Sequence, residues 1–587
     1  MKDRELEFVD HTIRDAQQSL WGFRMRTDMI TPIAEIIDRV GYRAIGTVGG
    51  NGFVVEARNL NEDPWERIRL LSRLITKTPL RGSCQIWGIA SFDQSTPRDI
   101  ITLWIKRSFA NGIKSFWFCD YQTDMEKFVY FARIAKAEGA EVVVSLVYTS
   151  SPVHTKEHWA RKTRLIAEVK DCVDRIQIED ASGVMTPEGT REFVSTVQKN
   201  CEGLPLEFHA HCNSGLAPLC YLEAIQLGVT TVHTAVSPLA NGTSLPAAET
   251  FLRNARRLGF TSDIDEDALA DVSSHFRAIA EKEGLPVGAP VEYDLFHYEH
   301  QVPGGMMTNL TRQLREVGME HRLSEILEEV TVVRREFGYP VMATPYSQIV
   351  GAQAVENIVS GERYGQVTDE AIKYVLGYYG EPVVPVDPNV MDRIMGLPRT
   401  KEFADWRPEG YLKSVEEFRK EMGADLSDDD LLLKILIPGQ PGRPAEVKKG
   451  AGPGTARPGP QTGAPVGLPM AFNVEVDGET FSVRISPAPQ GGGQAEATGP
   501  VETGGAPGKP RRPKEAPPGS VVCGMAGLVL SIEAKVGDSV NPGEIVAMIE
   551  AMKMRRRINA PHGGVVKEIR VREGDMVDAE DVLMVVA

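Results

Sequence analysis

Through the first 240 residues, short β-branched and aromatic runs alternate with longer stretches whose apolar residues recur every three or four positions. The runs are Glu7–Thr12, Tyr42–Gly49, Leu80–Trp87, Lys114–Asp120, Glu141–Thr149, Arg175–Asp180, Leu206–Cys212 and Thr230–Ser237. Between them lie amphipathic stretches such as Met29–Val40, Pro64–Ile75 and Met125–Ala137. The short runs predict strands and the longer periods predict helices. Eight such units predict an α/β fold, a (β/α)8 TIM-type barrel over residues 1–262. A doubly wound sheet is the other possibility, but no Gly-x-Gly-x-x-Gly turn is present to open it.

From about Glu266 the pattern becomes helical, with Ala268–Glu283, Met306–Glu316, Leu323–Phe337, Ser347–Ile358 and Val415–Met422 as predicted helices of a domain over residues 263–436. Within it, Tyr298-Glu-His-Gln-Val-Pro-Gly-Gly-Met-Met-Thr-Asn-Leu310 mixes polar, turn and apolar residues. Composition alone favours a packed turn there over a site-facing loop.

The periodicity then stops. Ten of the 20 residues from Ala451 to Met470 are Gly or Pro, and residues 437–519 as a whole predict a flexible linker. One island of alternation at 471–486, centred on Asp477-Gly478, predicts a β-hairpin. Residues 520–587 contain a repeat offset by 37 positions: Gly527 matches Gly564, Val529 Val566, Ile532 Ile569, Gly537-Asp538 Gly574-Asp575, and Val540 Val577. Two such halves predict a small all-β sandwich, with Glu550-Ala-Met-Lys-Met554 at the turn between them.

Composition narrows the function classes. The net charge of −16 argues against nucleic acid, which needs a basic face. Seven cysteines without a CxxC pair read as reduced thiols. The opening MKDRELEFVDHT has no apolar signal core, and no run reaches the roughly 18 apolar residues of a membrane span. The expected location is cytoplasmic.

Polar residues gather at the C-terminal ends of the predicted strands, where barrels place chemistry. His209 and His211 are two apart on one strand and share a face. With Asp10 they form a candidate set for a divalent Zn, Mn or Co ion, the alternative being barrel histidines satisfied by hydrogen bonds. Lys553, at the tip of the sandwich hairpin, is placed for presentation to something else.

Glu550-Ala-Met-Lys-Met554 resembles the attachment site of biotin carboxyl carrier domains, which implies biotin in amide linkage on Lys553. Residues 5–435 resemble the carboxyltransferase chains of pyruvate carboxylase, the oxaloacetate decarboxylase alpha subunit and transcarboxylase. The resemblance is carried by Asp10-His-Thr-Ile-Arg-Asp-Ala-Gln-Gln-Ser-Leu20, Leu80-Arg-Gly82, the paired histidines, Gly242-Thr-Ser244, the 298–310 segment and Thr344-Pro-Tyr-Ser-Gln348. It moves the 298–310 segment from a packed turn to a domain junction.

The resemblance implies a biotin-dependent carboxyltransferase moving CO2 between carboxybiotin and a 2-oxo acid, pyruvate/oxaloacetate by default. Asp10, His209 and His211 would ligate the metal, Arg14, Gln18 and Arg81 would hold the substrate, and Thr243 would relay a proton. Implied partners are a separate biotin carboxylase subunit or a membrane decarboxylase subunit, a biotin protein ligase, and further copies in a homo-oligomer. Departures cluster at the predicted mouth. Glu179 stands where relatives have a carbamylated lysine ligand, His233 where they have Asp, Cys212-Asn213 where they have Asp-Thr, and Ser83-Cys84 follows Arg81-Gly82. Another acid substrate, or a biotinylated scaffold without turnover, are the alternatives.

Overall fold

The computed structural model describes residues 4–89, 96–119, 124–316, 318–404, 413–437, 470–476, 479–485, 519–523, 527–551, 554–577 and 581–587. They fall into two compact units, Met1–Gly442 with Ala516–Ala587, and Arg443–Glu515.

Eight parallel strands close into a barrel in chain order: β1 (Glu7–Asp10), β2 (Ala44–Val48), β3 (Leu80–Gln85), β4 (Ile113–Cys119), β5 (Glu141–Val147), β6 (Arg175–Asp180), β7 (Leu206–Ala210) and β8 (Thr231–Thr234). Closure is direct, because β1 pairs with both β2 and β8. Alternate side chains leave the barrel outwards to meet the helices. Phe8 packs on Phe251, Phe118 on Phe128 and Phe208 on Tyr221. Each such burial contributes about 1.5–3 kcal/mol. Helix starts are written locally: Asp63, Asp124, Thr155 and Thr186 each accept a backbone N–H of the first turn that follows.

The N-terminal end of the barrel interior is closed by six alternating charges. Glu7, Arg43, Glu141, Arg81, Glu207 and Arg175 form a ring in which each residue pairs with both neighbours. Each comes from the first positions of a strand or just before one, so their side chains meet in one layer. Three arginines and three glutamates leave the layer neutral, which is the condition for burying charge.

The helices Glu266–Glu283 and Asp428–Leu436 also join the barrel core. Trp65, edge-on to Phe53 and tilted against Trp104, donates its indole N–H to the Asp429 carbonyl at 3.0 Å. The Asp429 carboxylate accepts from Arg69, Arg107 and Asn111. A separate apolar core runs from Val302 to Ile394. Its helices, among them Gly304–Glu316, Leu323–Glu336 and Tyr346–Ser360, lie within two residues of the periodicity-based bounds at each end. Buried Arg334 ties this core to the barrel by donating to Thr149 Oγ1 and the Ser150 carbonyl. Among the described residues no helix is long and apolar enough to cross a membrane.

In the other unit, β9 (Met470–Val476) and β10 (Glu479–Ile485) form the expected antiparallel hairpin. The C-terminal residues form two four-stranded sheets. One has the order β11 (Ser520–Val522), β18 (Val582–Val586), β16 (Gly564–Ile569), β13 (Ser539–Val540). The other runs β15 (Met554–Asn559), β14 (Ile545–Ala551), β12 (Gly527–Ile532), β17 (Met576–Val577). The repeat maps strand for strand, and each half lends its two-residue strand to the sheet built mainly from the other half.

Candidate active site at the barrel mouth

Strand parity sorts the polar residues. On β7, Glu207, His209 and, just beyond the strand, His211 share the inward face, while Phe208 and Ala210 face the helices. On β1, Asp10 shares its face with Phe8 and points into the helix layer. There its Oδ1 accepts from the Thr12 hydroxyl at 2.5 Å and the Thr12 N–H at 3.2 Å. Burial pushes its carboxyl up to about 7, the Thr12 contacts opposing. Asp10 is therefore absent from the histidine cluster, a correction to the expected ligand set.

The aspartate that joins the histidines is Asp15. A π-helical turn, Thr12–Ala16, carries it back over the mouth. Asp15 Oδ2 lies 3.5 Å from His209 Nε2 and 3.8 Å from His211 Nε2, and the two Nε2 atoms are 3.3 Å apart. Ligands at 2.0–2.2 Å from a tetrahedral centre stand about 3.3–3.6 Å from one another; two of these separations fall in that range and the Asp15–His211 one is slightly longer, a set that a divalent cation could draw together. Burial opposes the Asp15 charge, but Arg14, His211 and His209 hold its carboxyl well below the usual range. Burial drives His209 well below its ordinary value, leaving a neutral ring with a free lone pair. Burial also disfavours charge on His211, yet Asp15 beside it outweighs this and raises it. A cation entering the cluster would compete with protons for the Nε2 lone pairs.

His211 Nδ1 donates to the Thr243 carbonyl at 2.8 Å, which turns Nε2 towards the cluster. Thr243 Oγ1 donates to the Ser19 carbonyl at 3.0 Å. Arg14 pairs with Asp15 at 2.7 Å, and its guanidinium lies 4.7 Å from the Trp117 ring centroid. Gln18 is half-buried one helical turn on. Gly304, in the 298–310 segment, sits so close to the mouth that a Cβ there would stand 2.4 Å from Thr243 Cβ and 2.6 Å from Asn213 Oδ1. The segment thus belongs to the site and not to a remote packed turn.

Two other expected residues are placed elsewhere. Glu179 faces inward, but its Oε2 accepts from Ser145 at 2.8 Å and Gln177 at 3.3 Å, and it is not part of the ligand cluster. Burial raises its carboxyl to about 7, with Ser145 opposing and Asp15 adding to the rise. Arg81 is second in its strand, not near the end, so it lies in the floor ring. Its guanidinium is spent on Glu207, Glu141 and Ser115, with 1% of the side chain exposed. Lys553 lies outside the described residues; β14 and β15, which flank it, pair Ala551 with Met554.

Three family models cover the chain: "HMGL-like" over residues 5–275, "Conserved carboxylase domain" over 298–484 and "Biotin-requiring enzyme" over 518–586. A pyruvate carboxylase subunit of Methanocaldococcus jannaschii is 36% identical, over 94% of each chain. The chain belongs to the biotin-dependent carboxyltransferase family. Within that family, the 2-oxoglutarate carboxylase large subunit of Hydrogenobacter thermophilus is 32% identical, over 95% of this chain and 91% of the relative. The carboxyl transferase domain of Rhizobium etli pyruvate carboxylase, solved with pyruvate, matches with a TM-score of 0.67 and 23% identity, over 74% of this chain and 76% of that one. That likeness shows the shared fold.

Proposed function

We propose that the barrel mouth transfers a carboxyl group between biotin on Lys553 and the carbon next to the carbonyl of a 2-oxo acid, pyruvate/oxaloacetate being the default pair. The observation that carries this is the Asp15–His209–His211 cluster, with His211 anchored on the carbonyl of Thr243. Asp15, His209 and His211 would hold a divalent ion, which would supply Lewis-acid stabilisation of negative charge on the substrate's carbonyl oxygen. Arg14, fixed over Trp117, binds the acid's carboxylate, and Gln18 hydrogen-bonds beside it. Thr243 relays a proton between the substrate carbon and the biotin N1: Oγ1 accepts one proton as it passes on its own hydroxyl hydrogen, which the Ser19 carbonyl orients in the resting state. The packed Gly304 segment keeps water from the reacting face.

In this reading, residues 437–519 tether a carrier at 520–587 to the barrel of 1–262 and the helical domain of 263–436. Two archaeal relatives are each one subunit of a divided pyruvate carboxylase, which supports a separate biotin carboxylase subunit as the partner that loads the arm. The test is avidin-sensitive isotope exchange between labelled pyruvate and oxaloacetate by the full-length biotinylated chain, repeated over a panel of 2-oxo acids that includes 2-oxoglutarate. Exchange with at least one acid, abolished by Lys553→Arg and by Thr243→Ala, is expected. Exchange that survives both changes overturns the reading, as does silence across the whole panel.

A further inference from the structure

Between the floor ring and the cluster lies a fully buried chain of side chains that the transfer itself does not use. Glu207 Oε2 accepts from Arg81 Nη1 at 2.6 Å and lies 3.0 Å from His233 Nε2. His233 Nδ1 lies 3.1 Å from His209 Nδ1, and His209 Nε2 enters the cluster. We propose that Glu207 and His233 are positioning residues that fix the tautomer of His209 and so aim its Nε2 lone pair into the cluster. The proposal rests on reading Asp15, His209 and His211 as a metal site.

The proton order follows from the partners. Arg81, at ion-pair distance, keeps Glu207 an acceptor, so His233 Nε2 must carry the hydrogen that faces it. A neutral His233 then presents a lone pair at Nδ1. His209 meets that ring edge-on, with the two Nδ1 atoms 3.1 Å apart and the ring planes at 85°. His11 approaches the same nitrogen at 3.0 Å, with its ring at 25° to that of His233. In the proposed order His209 is the donor, from Nδ1, and its Nε2 is left unprotonated. Carboxylate–histidine–metal triads do the same with one fewer link. Here the link is lengthened, because Glu207 is two residues below His209 on the same strand and cannot reach it. His233, on the neighbouring strand, spans the gap.

The test is a Co2+ titration of the chelator-stripped full-length chain, read by visible absorption and by competition with a chelator. His233→Phe, which fills the space but accepts nothing, is expected to weaken Co2+ binding about 10–100-fold and to shift the absorption bands. His233→Asn, which offers a carbonyl oxygen near the Nδ1 position, is expected to restore both. Glu207→Gln, able to turn an N–H towards His233, is expected to weaken binding in the same direction, and it serves if His233→Phe does not melt cooperatively. Wild-type binding unchanged in His233→Phe or Glu207→Gln overturns the inference, as does His233→Asn behaving like His233→Phe. A wild-type chain that binds no Co2+ overturns the metal reading and this inference with it.

Discussion

The Nδ1 of His211, just past the end of one strand, hydrogen-bonds the carbonyl of Thr243, on the loop beyond the next strand, at 2.8 Å. One contact therefore sets both the direction of a metal-facing nitrogen and the place of the hydroxyl proposed to move a proton. In the proposed function, metal binding and proton transfer would be mechanically joined at this point.

Asp15→Asn is expected to lower divalent-metal affinity by one to two orders of magnitude. Asp10→Asn should leave it within about twofold, since the carboxylate faces the helix layer. Metal content after dialysis against a weak chelator distinguishes them. Equal losses in the two variants would contradict the parity argument.

Arg81→Ala should act on stability, not on substrate affinity. It removes one of the two arginines that buried Glu207 and half-buried Glu141 each pair with, leaving Arg175 and Arg43, a loss of up to about 3–5 kcal/mol. Denaturant unfolding measures it. A folded variant with unaltered stability and a raised KM would return Arg81 to the substrate.

Gly304→Ala places a methyl where Thr243 Cβ already stands, 2.4 Å away. The loop must shift, and the exchange rate should fall at least tenfold while metal content stays at the wild-type level. Parallel exchange assays and metal analysis check this pairing.

His154, buried beside His158 and Trp159, is held down to about 3, mainly by burial and then by the neighbouring charges of His158, Arg334 and Lys162. The unfolded chain binds this proton near 6.5, so between 6.5 and 3 it holds more protons than the native chain. Stability is therefore present above 6.5 and lost as pH falls, by about 2 kcal/mol from this ring at pH 5. His154→Gln should narrow the gap between melting temperatures at pH 7.5 and pH 5. An unchanged gap would place the acid sensitivity elsewhere.

The barrel is legible in the sequence because each strand is a local run whose apolar face must meet a helix, and the carrier because its repeat matches residue by residue. The paired histidines are legible for the same reason, His209 lying on a strand and His211 continuing its alternation just past the end. Asp15 is not, since the turn that delivers it has neither a strand nor an ordinary helix period. The even spacing of Phe8 and Asp10 does carry part of the answer, because it already puts Asp10 outside. The floor ring has no local sign, because its six residues are scattered from Glu7 to Glu207 and meet only after closure. Arg81 sits in a motif whose match says nothing of depth, while its place near the start of a strand assigns it to the floor.

The exchanged short strands of the C-terminal sandwich bear on when the chain matures. β18 lies inside its sheet, between β11 and β16, while the hairpin that brackets Lys553 belongs to the opposite sheet. The first sheet is incomplete until residues 582–586 have left the ribosome, after all those of the barrel have been synthesised. A modifying ligase that reads the folded hairpin would then act after synthesis of the barrel, and truncated translation products would escape labelling.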